Sequence, residues 1–203
     1  MQINFMKKYG LPVLIVLLIG FLSFRLLMKT NKQEREPKKD PLAISANTDV
    51  FNRSFSETLE AYYSLKDAFV KSDTVSVNKA SLLLAEKADS LKINEIKGDT
   101  TGTIKETARF YAGSISASVK TITAEKDLEA KRREFDAITD AVWSLTRTVR
   151  FSGGKIFYQH CPMAFNNKGA YWLSSSREIL NPYFGDAMLH CGEIADSVDY
   201  SRK

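Results

Sequence analysis

Apolar residues recur at steps of three and four along four successive stretches of this chain. Phe51, Phe55, Leu59, Tyr62, Leu65 and Phe69 form the first stripe, at the spacing that places side chains on one face of a helix. Ser72-Asp73-Thr74 interrupts it. A second stripe runs through Val77, Ala80, Leu84, Ala88 and Leu91 and ends before Lys97-Gly98-Asp99. Ile104, Ala108, Tyr111, Ile115, Val119 and Ile122 make the third. The fourth, a near-heptad of Leu128, Phe135, Ile138, Val142, Leu145 and Val149, stops at Gly153-Gly154, a helix-ending signal. Four amphipathic helices on short connections bury such stripes most economically against one another. The pattern therefore predicts an all-α fold, an up-down-up-down four-helix bundle over residues 48–152. A haem or di-iron box inside it would need inward histidines or paired carboxylates such as Glu-x-x-His. The four helices contain no histidine, so the stripes read as core.

Beyond Gly154 the period changes. Lys155-Ile-Phe-Tyr-Gln-His-Cys161 is aromatic and β-prone, Asn166-Asn-Lys-Gly169 is a turn signal, and Ala170-Tyr-Trp-Leu173 can return as a second strand. Residues 153–195 are thus expected to form a hairpin and loop appendage packed on the bundle by Trp172, Tyr183 and Phe184. Residues 196–203 read as a tail.

At the other end, Leu11–Phe24 is an almost unbroken apolar run; with its apolar neighbours it approaches the roughly 20 residues a bilayer requires. Residues 1–28 are read as an N-terminal transmembrane helix, a single membrane anchor. A cleaved signal peptide is the rival, since Lys7 and Lys8 precede the run, but no A-x-A-like pair of small residues closely follows it. Residues 29–47, rich in Lys and Arg with Pro37 and Pro41, read as a flexible linker. Charge follows the same division. Residues 1–40 carry eight cations and three anions, the whole of the net +5, so the remainder is balanced. A basic excess confined to membrane flanks is no phosphate-tracking surface, and no nucleic-acid partner is expected.

Both cysteines and both histidines fall between residues 160 and 191, as His160-Cys161-Pro162-Met163 and Met188-Leu189-His190-Cys191-Gly192. Of the five methionines only Met163 and Met188 lie beyond residue 28. Thiolate and thioether donors suit soft cations such as Cu(I) or Ag(I). In an extended chain Cys161 and Met163 share a face and His160 opposes them, while Met188 and Cys191 share a face over one helical turn. Cys161, Met163, Met188 and Cys191 are the candidate metal ligands, with His190 and then His160 next. A two-cysteine, two-histidine set would suit zinc instead. Against any metal stands a plain alternative: a Cys161–Cys191 disulfide closing a structural or interaction module. G-x-S-x-G, H-E-x-x-H, G-x-G-x-x-G and P-loop signatures are missing, and the adjacency of His160 and Cys161 is not how nucleophile pairs are usually assembled, so catalysis is not expected.

Cys161-Pro-Met-Ala-Phe-Asn-Asn-Lys-Gly-Ala-Tyr-Trp-Leu-Ser174, Asn181-Pro-Tyr-Phe-Gly-Asp-Ala-Met188 and Cys191-Gly192 together resemble an uncharacterised bacterial domain of unknown function. That domain occurs alone, usually exported, and fused to periplasmic adaptor proteins of copper/silver-type heavy-metal efflux systems. The likeness extends more loosely over Tyr62–Ala68 and Arg132–Phe135, roughly residues 50–195 in all. It implies an extracytoplasmic domain suspected of binding a heavy metal, with the family's Cys-Pro-Met on Cys161, Pro162 and Met163 and its Met-x-x-Cys-Gly on Met188, Cys191 and Gly192. Heavy-metal efflux components would be the partners. The excess of cations after the apolar run favours a cytoplasmic domain. The resemblance favours a membrane-anchored domain facing the periplasm, and that is the expectation taken forward.

Overall fold

The computed structural model describes residues 46–201. Four long helices form its larger part: α1 (Asp49–Val70), α2 (Thr74–Asp89), α3 (Thr103–Ala124) and α4 (Leu128–Val149). Each start has its own cap. Thr48 Oγ1 accepts from the Phe51 amide, Asp73 Oδ1 from Val75 and Ser76, and an Asp127 carboxylate oxygen from Ala130, which satisfies amides that have no partner inside the helix. α3 starts on Gly102 and borrows its cap from further back, the Asp99 carboxylate accepting from Ile104 and Lys105.

Each helix packs on the next in sequence. Aromatic contacts close the circuit between α1 and α4: Phe135 stacks on Tyr62 at 5.4 Å and tilts against Phe69 at 4.9 Å. Tyr62 is fully buried, and its hydroxyl bonds Thr139 Oγ1 at 2.7 Å. Three cations, Lys66, Lys131 and Arg132, also lie inside. Lys131 Nζ donates to Asn78 Oδ1 and to the Ile122 carbonyl, tying α4 to α2 and α3. A buried ammonium is tolerated only with such partners.

The all-α expectation is corrected by a three-stranded antiparallel sheet. β3 (Ile156–Cys161) lies between β4 (Ala170–Ser174) and β5 (Glu193–Val198). A two-stranded pair, β1 (Ala46–Asn47) with β2 (Ile96–Lys97), joins the chain ahead of α1 to the α2–α3 connection. A four-residue helical turn, α5 (Ala164–Asn167), links β3 to β4. β5 carries no clear strand signal, because Glu-Ile-Ala-Asp-Ser-Val is largely polar and none of its residues is fully buried. An edge strand of this kind is defined by backbone pairing with β3, and its side chains carry little alternation.

The expected transmembrane helix, and with it the membrane-anchored, periplasm-facing placement, is likewise corrected. Among the described residues no helix is long and apolar enough to cross a membrane. α1 to α4 each bury one face and expose the other, and the exposed side of α2 and α3 includes Val75, Leu82, Leu83 and Phe110. The stretch read as an anchor, residues 1–28, lies outside the described residues, as does most of the linker.

β3 carries the site. Tyr158 and His160 stand on the face toward α4: Tyr158 stacks on Trp143 at 4.6 Å and on Tyr171 at 4.5 Å, and Tyr171 on His160 at 4.4 Å. Phe157, Gln159 and Cys161 alternate to the other face, which the 175–192 segment covers; Gln159 Nε2 donates to the Ser176 and Glu178 carbonyls there.

Candidate metal site: three sulfurs between sheet and loop

Cys161 is the last residue of β3, opposite Ala170 of β4, and is fully buried. Cys191 approaches from the covering segment, and its Sγ lies 3.6 Å from Cys161 Sγ. Met163, two residues beyond Cys161, places its Sδ 3.9 Å from Cys191 Sγ. Both cysteines are free thiols. Three sulfurs thus converge from two stretches nearly thirty residues apart.

Specific polar contacts hold the covering segment in place. The Asn181 side-chain amide donates to the Cys191 carbonyl at 2.8 Å, and its backbone amide donates to Leu189. Asn181 Oδ1 accepts from Tyr183 N. Arg132, buried in α4, donates from Nε to the Pro182 carbonyl at 3.0 Å and from a terminal nitrogen to Ser72 Oγ, while Glu129 completes its ion pair. One guanidinium therefore fixes the loop to the helices, the sort of multidentate work that suits arginine. At Gly192 φ is +148°, and a Cβ there would stand 2.7 Å from the Trp172 ring and 2.8 Å from the His160 carbonyl. Glycine alone lets the chain leave Cys191 across Trp172 into β5.

The thiols influence one another. Hydrogen bonding to Cys161, then burial, pushes the Cys191 thiol pKa up. A metal ion must displace that proton, because the thiolate is the ligand.

The histidines are directed elsewhere. His160 lies flat on Tyr171, on the opposite face of β3 from Cys161, with Nδ1 3.8 Å from Glu193 and Nε2 where a side chain on Gly169 would sit. His190 Nδ1 donates to the Ile179 carbonyl at 2.9 Å. Among the described residues no three His, Cys, Asp or Glu side chains gather as a metal centre. The expected metal-binding set, four sulfurs with His190 and then His160 as the next candidates, is corrected to this extent: among the described residues neither imidazole and no third His, Cys, Asp or Glu joins the two thiols, so the two-cysteine, two-histidine alternative is not assembled. Met188, the fourth predicted sulfur, enters through its backbone, its carbonyl accepting from the Cys191 amide at 3.0 Å. What converges is two thiols and one thioether.

The helices carry a likeness to a known family model. Residues 58–153 match a family model described as a protein of unknown function (DUF3347). That match covers most of α1 and all of α2, α3 and α4, and it ends before β3, so both sulfur stretches lie beyond it. It supports an uncharacterised domain of unknown function over those residues. No curated protein and no solved structure matches the chain.

Several residues that build the site had only a faint sequence signal. Arg132 falls four residues after Leu128 and three before Phe135, on the apolar stripe itself; a charge on a core face marks a buried partner. Asn181 before Pro182 reads as a turn, although its side chain clamps Cys191. Gln159 alternates with Phe157 and Cys161, which places an amide on a buried face; its Oε1, like Trp172 Nε1 on the partner strand, is buried without a hydrogen-bond partner.

Proposed function

We propose that this domain binds a soft monovalent metal ion, Cu(I) or Ag(I), through sulfur, for capture or transfer. One observation supports the reading above all: Cys161, Cys191 and Met163 bring their sulfurs to within 3.6 and 3.9 Å of one another at the two contacts through Cys191. Three sulfurs each about 2.3 Å from a common ion stand about 4 Å apart. The two contacts through Cys191 are already close to that spacing. Donor chemistry favours copper or silver over zinc, since a neutral thioether suits a soft cation and both imidazoles are turned away. The likeness of the two sulfur stretches to a domain fused to heavy-metal efflux adaptors supports the same reading, with an efflux component as recipient.

Both thiols lose their protons on binding, Cys191 against an upward shift, so binding strengthens as pH rises. The test is anaerobic titration of the reduced chain with Cu(I) against a competing chelator, repeated on Cys161→Ser and Cys191→Ser. The expected result is one ion per chain, with affinity falling at least a hundredfold in each variant. Equal affinity in all three proteins contradicts the reading.

A second reading draws on the same contact. Two thiols 3.6 Å apart need little movement to form a disulfide, which would make the domain a closed structural or interaction module. Mass measurement of the chain purified without reductant separates the two: a mass lower by two hydrogens and no bound metal favours the module.

A further inference from the structure

We infer that Met163 is the exchangeable donor of the three-sulfur site, the position at which an acceptor carrying a soft donor, thiolate or thioether, takes the ion. The inference rests on the sulfur-site reading and gives it a direction. Exposure is graded across the cluster: Cys161 is 0% exposed, Cys191 is half-buried, and Met163 is 47% exposed. An approaching ligand therefore meets the thioether first, while the innermost thiolate is sealed behind β4 and the covering segment. Charge runs the same way. Two anionic thiolates hold a monovalent cation more strongly than a neutral thioether does, so the weakest bond is also the most accessible.

The backbone supplies a second, independent observation. Directly after Met163 and Ala164, Phe165, Asn166 and Asn167 take positive φ of 52°, 59° and 65°. Left-handed backbone is disfavoured by steric crowding for residues other than glycine, less so for asparagine. Three such residues in succession persist only where the surroundings hold them, and such strain gathers at clamps and switches. Here the turn is held by Asn167 N on the Met163 carbonyl, by Lys168 and Gly169 amides on the Ala164 carbonyl, and by the Phe165 ring against Tyr183. Cys161 belongs to the sheet and Cys191 is clamped by Asn181, whereas Met163 rides on this turn between the strands. Its displacement leaves both thiolates in place.

The step conserves electrons. The acceptor's sulfur–metal bond forms as the Met163 Sδ–metal bond breaks. A second acceptor sulfur then bonds the metal as Cys191 releases it, Cys161 leaves last, and each thiolate regains one proton from solvent, which takes up any proton that an acceptor thiol gives off on binding.

Stopped-flow transfer tests this. The full chain, reduced and loaded with one equivalent of Cu(I), is mixed with a Cys-x-x-Cys peptide and compared with Met163→Leu and Met188→Leu. Leucine keeps the bulk of methionine and removes the donor. Met163→Leu is expected to transfer at least tenfold faster while still binding one ion; Met188→Leu is expected to transfer at the parent rate. A Met163→Leu rate within twofold of the parent overturns the inference and leaves a two-thiolate site standing. Failure of the parent chain to bind Cu(I) overturns the inference together with the site.

Discussion

The helical layer and the sheet layer of this domain are held by different means. The helices are secured by redundancy: dozens of buried apolar atoms along α1 to α4, none individually decisive except where rings meet. The sheet layer depends on a few placements, among them Gly169, Gly192, Asn181 and Arg132, each needed for one geometric reason. The family match follows the first layer and the sulfur cluster occupies the second. Damage to the helices should therefore register as loss of fold, whereas damage to the sheet layer should register at the site while the helices survive.

The strongest test of that contrast is Phe135→Ala. Phe135 is fully buried against Tyr62, Phe69 and Tyr183, and the cavity is expected to cost about 3–5 kcal/mol in denaturant unfolding. If the loss stays under about 1 kcal/mol, the helical layer is not organised around that ring. Arg132→Met comes next, because Arg132 bridges both layers. It strands the Pro182 carbonyl and is expected to cost about 2–3 kcal/mol. Metal affinity should fall with it, since Cys191 is no longer braced; a stability loss with unchanged affinity would show that the loop holds itself.

Gly169→Ala tests the sheet layer alone. φ there is +82°, and a Cβ would stand 2.6 Å from His160 Nε2. A penalty of about 1–2 kcal/mol is expected, with the helices still cooperative by circular dichroism and weaker Cu(I) binding, because Gly169 closes the turn that carries Met163. The smallest effect belongs to Asp136, whose carboxyl pKa is pushed up mainly by burial. The folded state holds its proton to higher pH than the unfolded chain does. Its contribution is therefore most favourable below the unfolded value of about 3.9 and declines as pH rises through the folded one. Asp136→Asn keeps the oxygen that accepts from the Tyr171 amide at 3.2 Å and removes the charge. It should stabilise at pH 7 by less than about 1 kcal/mol, since water still screens the carboxylate, and should flatten that decline. Greater destabilisation at pH 7 than at pH 4 would contradict the sign.

How legible each layer is in the sequence follows from the same contrast. Phe51 to Phe69 and Phe135 to Val149 announce themselves because a helix face repeats its apolar signal every turn, and redundancy survives a few exceptions. β5 has no such signal, since Glu193–Val198 is defined by backbone pairing to β3. At the site, residue type was informative and position only partly so. Alternation along a strand separates Cys161 from His160, and the structure places them on opposite faces of β3. The approach of Cys191 depends on Asn181, Gly192 and Arg132, three long-range contacts that no local period encodes. Met188 shows the limit of spacing arguments: its segment turns so that the carbonyl of Met188 meets the Cys191 amide.

X-ray absorption at the copper edge of the reduced full chain, loaded with one equivalent of Cu(I), tests the central claim most directly. The account predicts a shell of three sulfurs at about 2.3 Å without the outer-shell scattering of imidazole, falling to two sulfurs in Met163→Leu. A nitrogen-dominated shell, or copper lost on desalting, would contradict it.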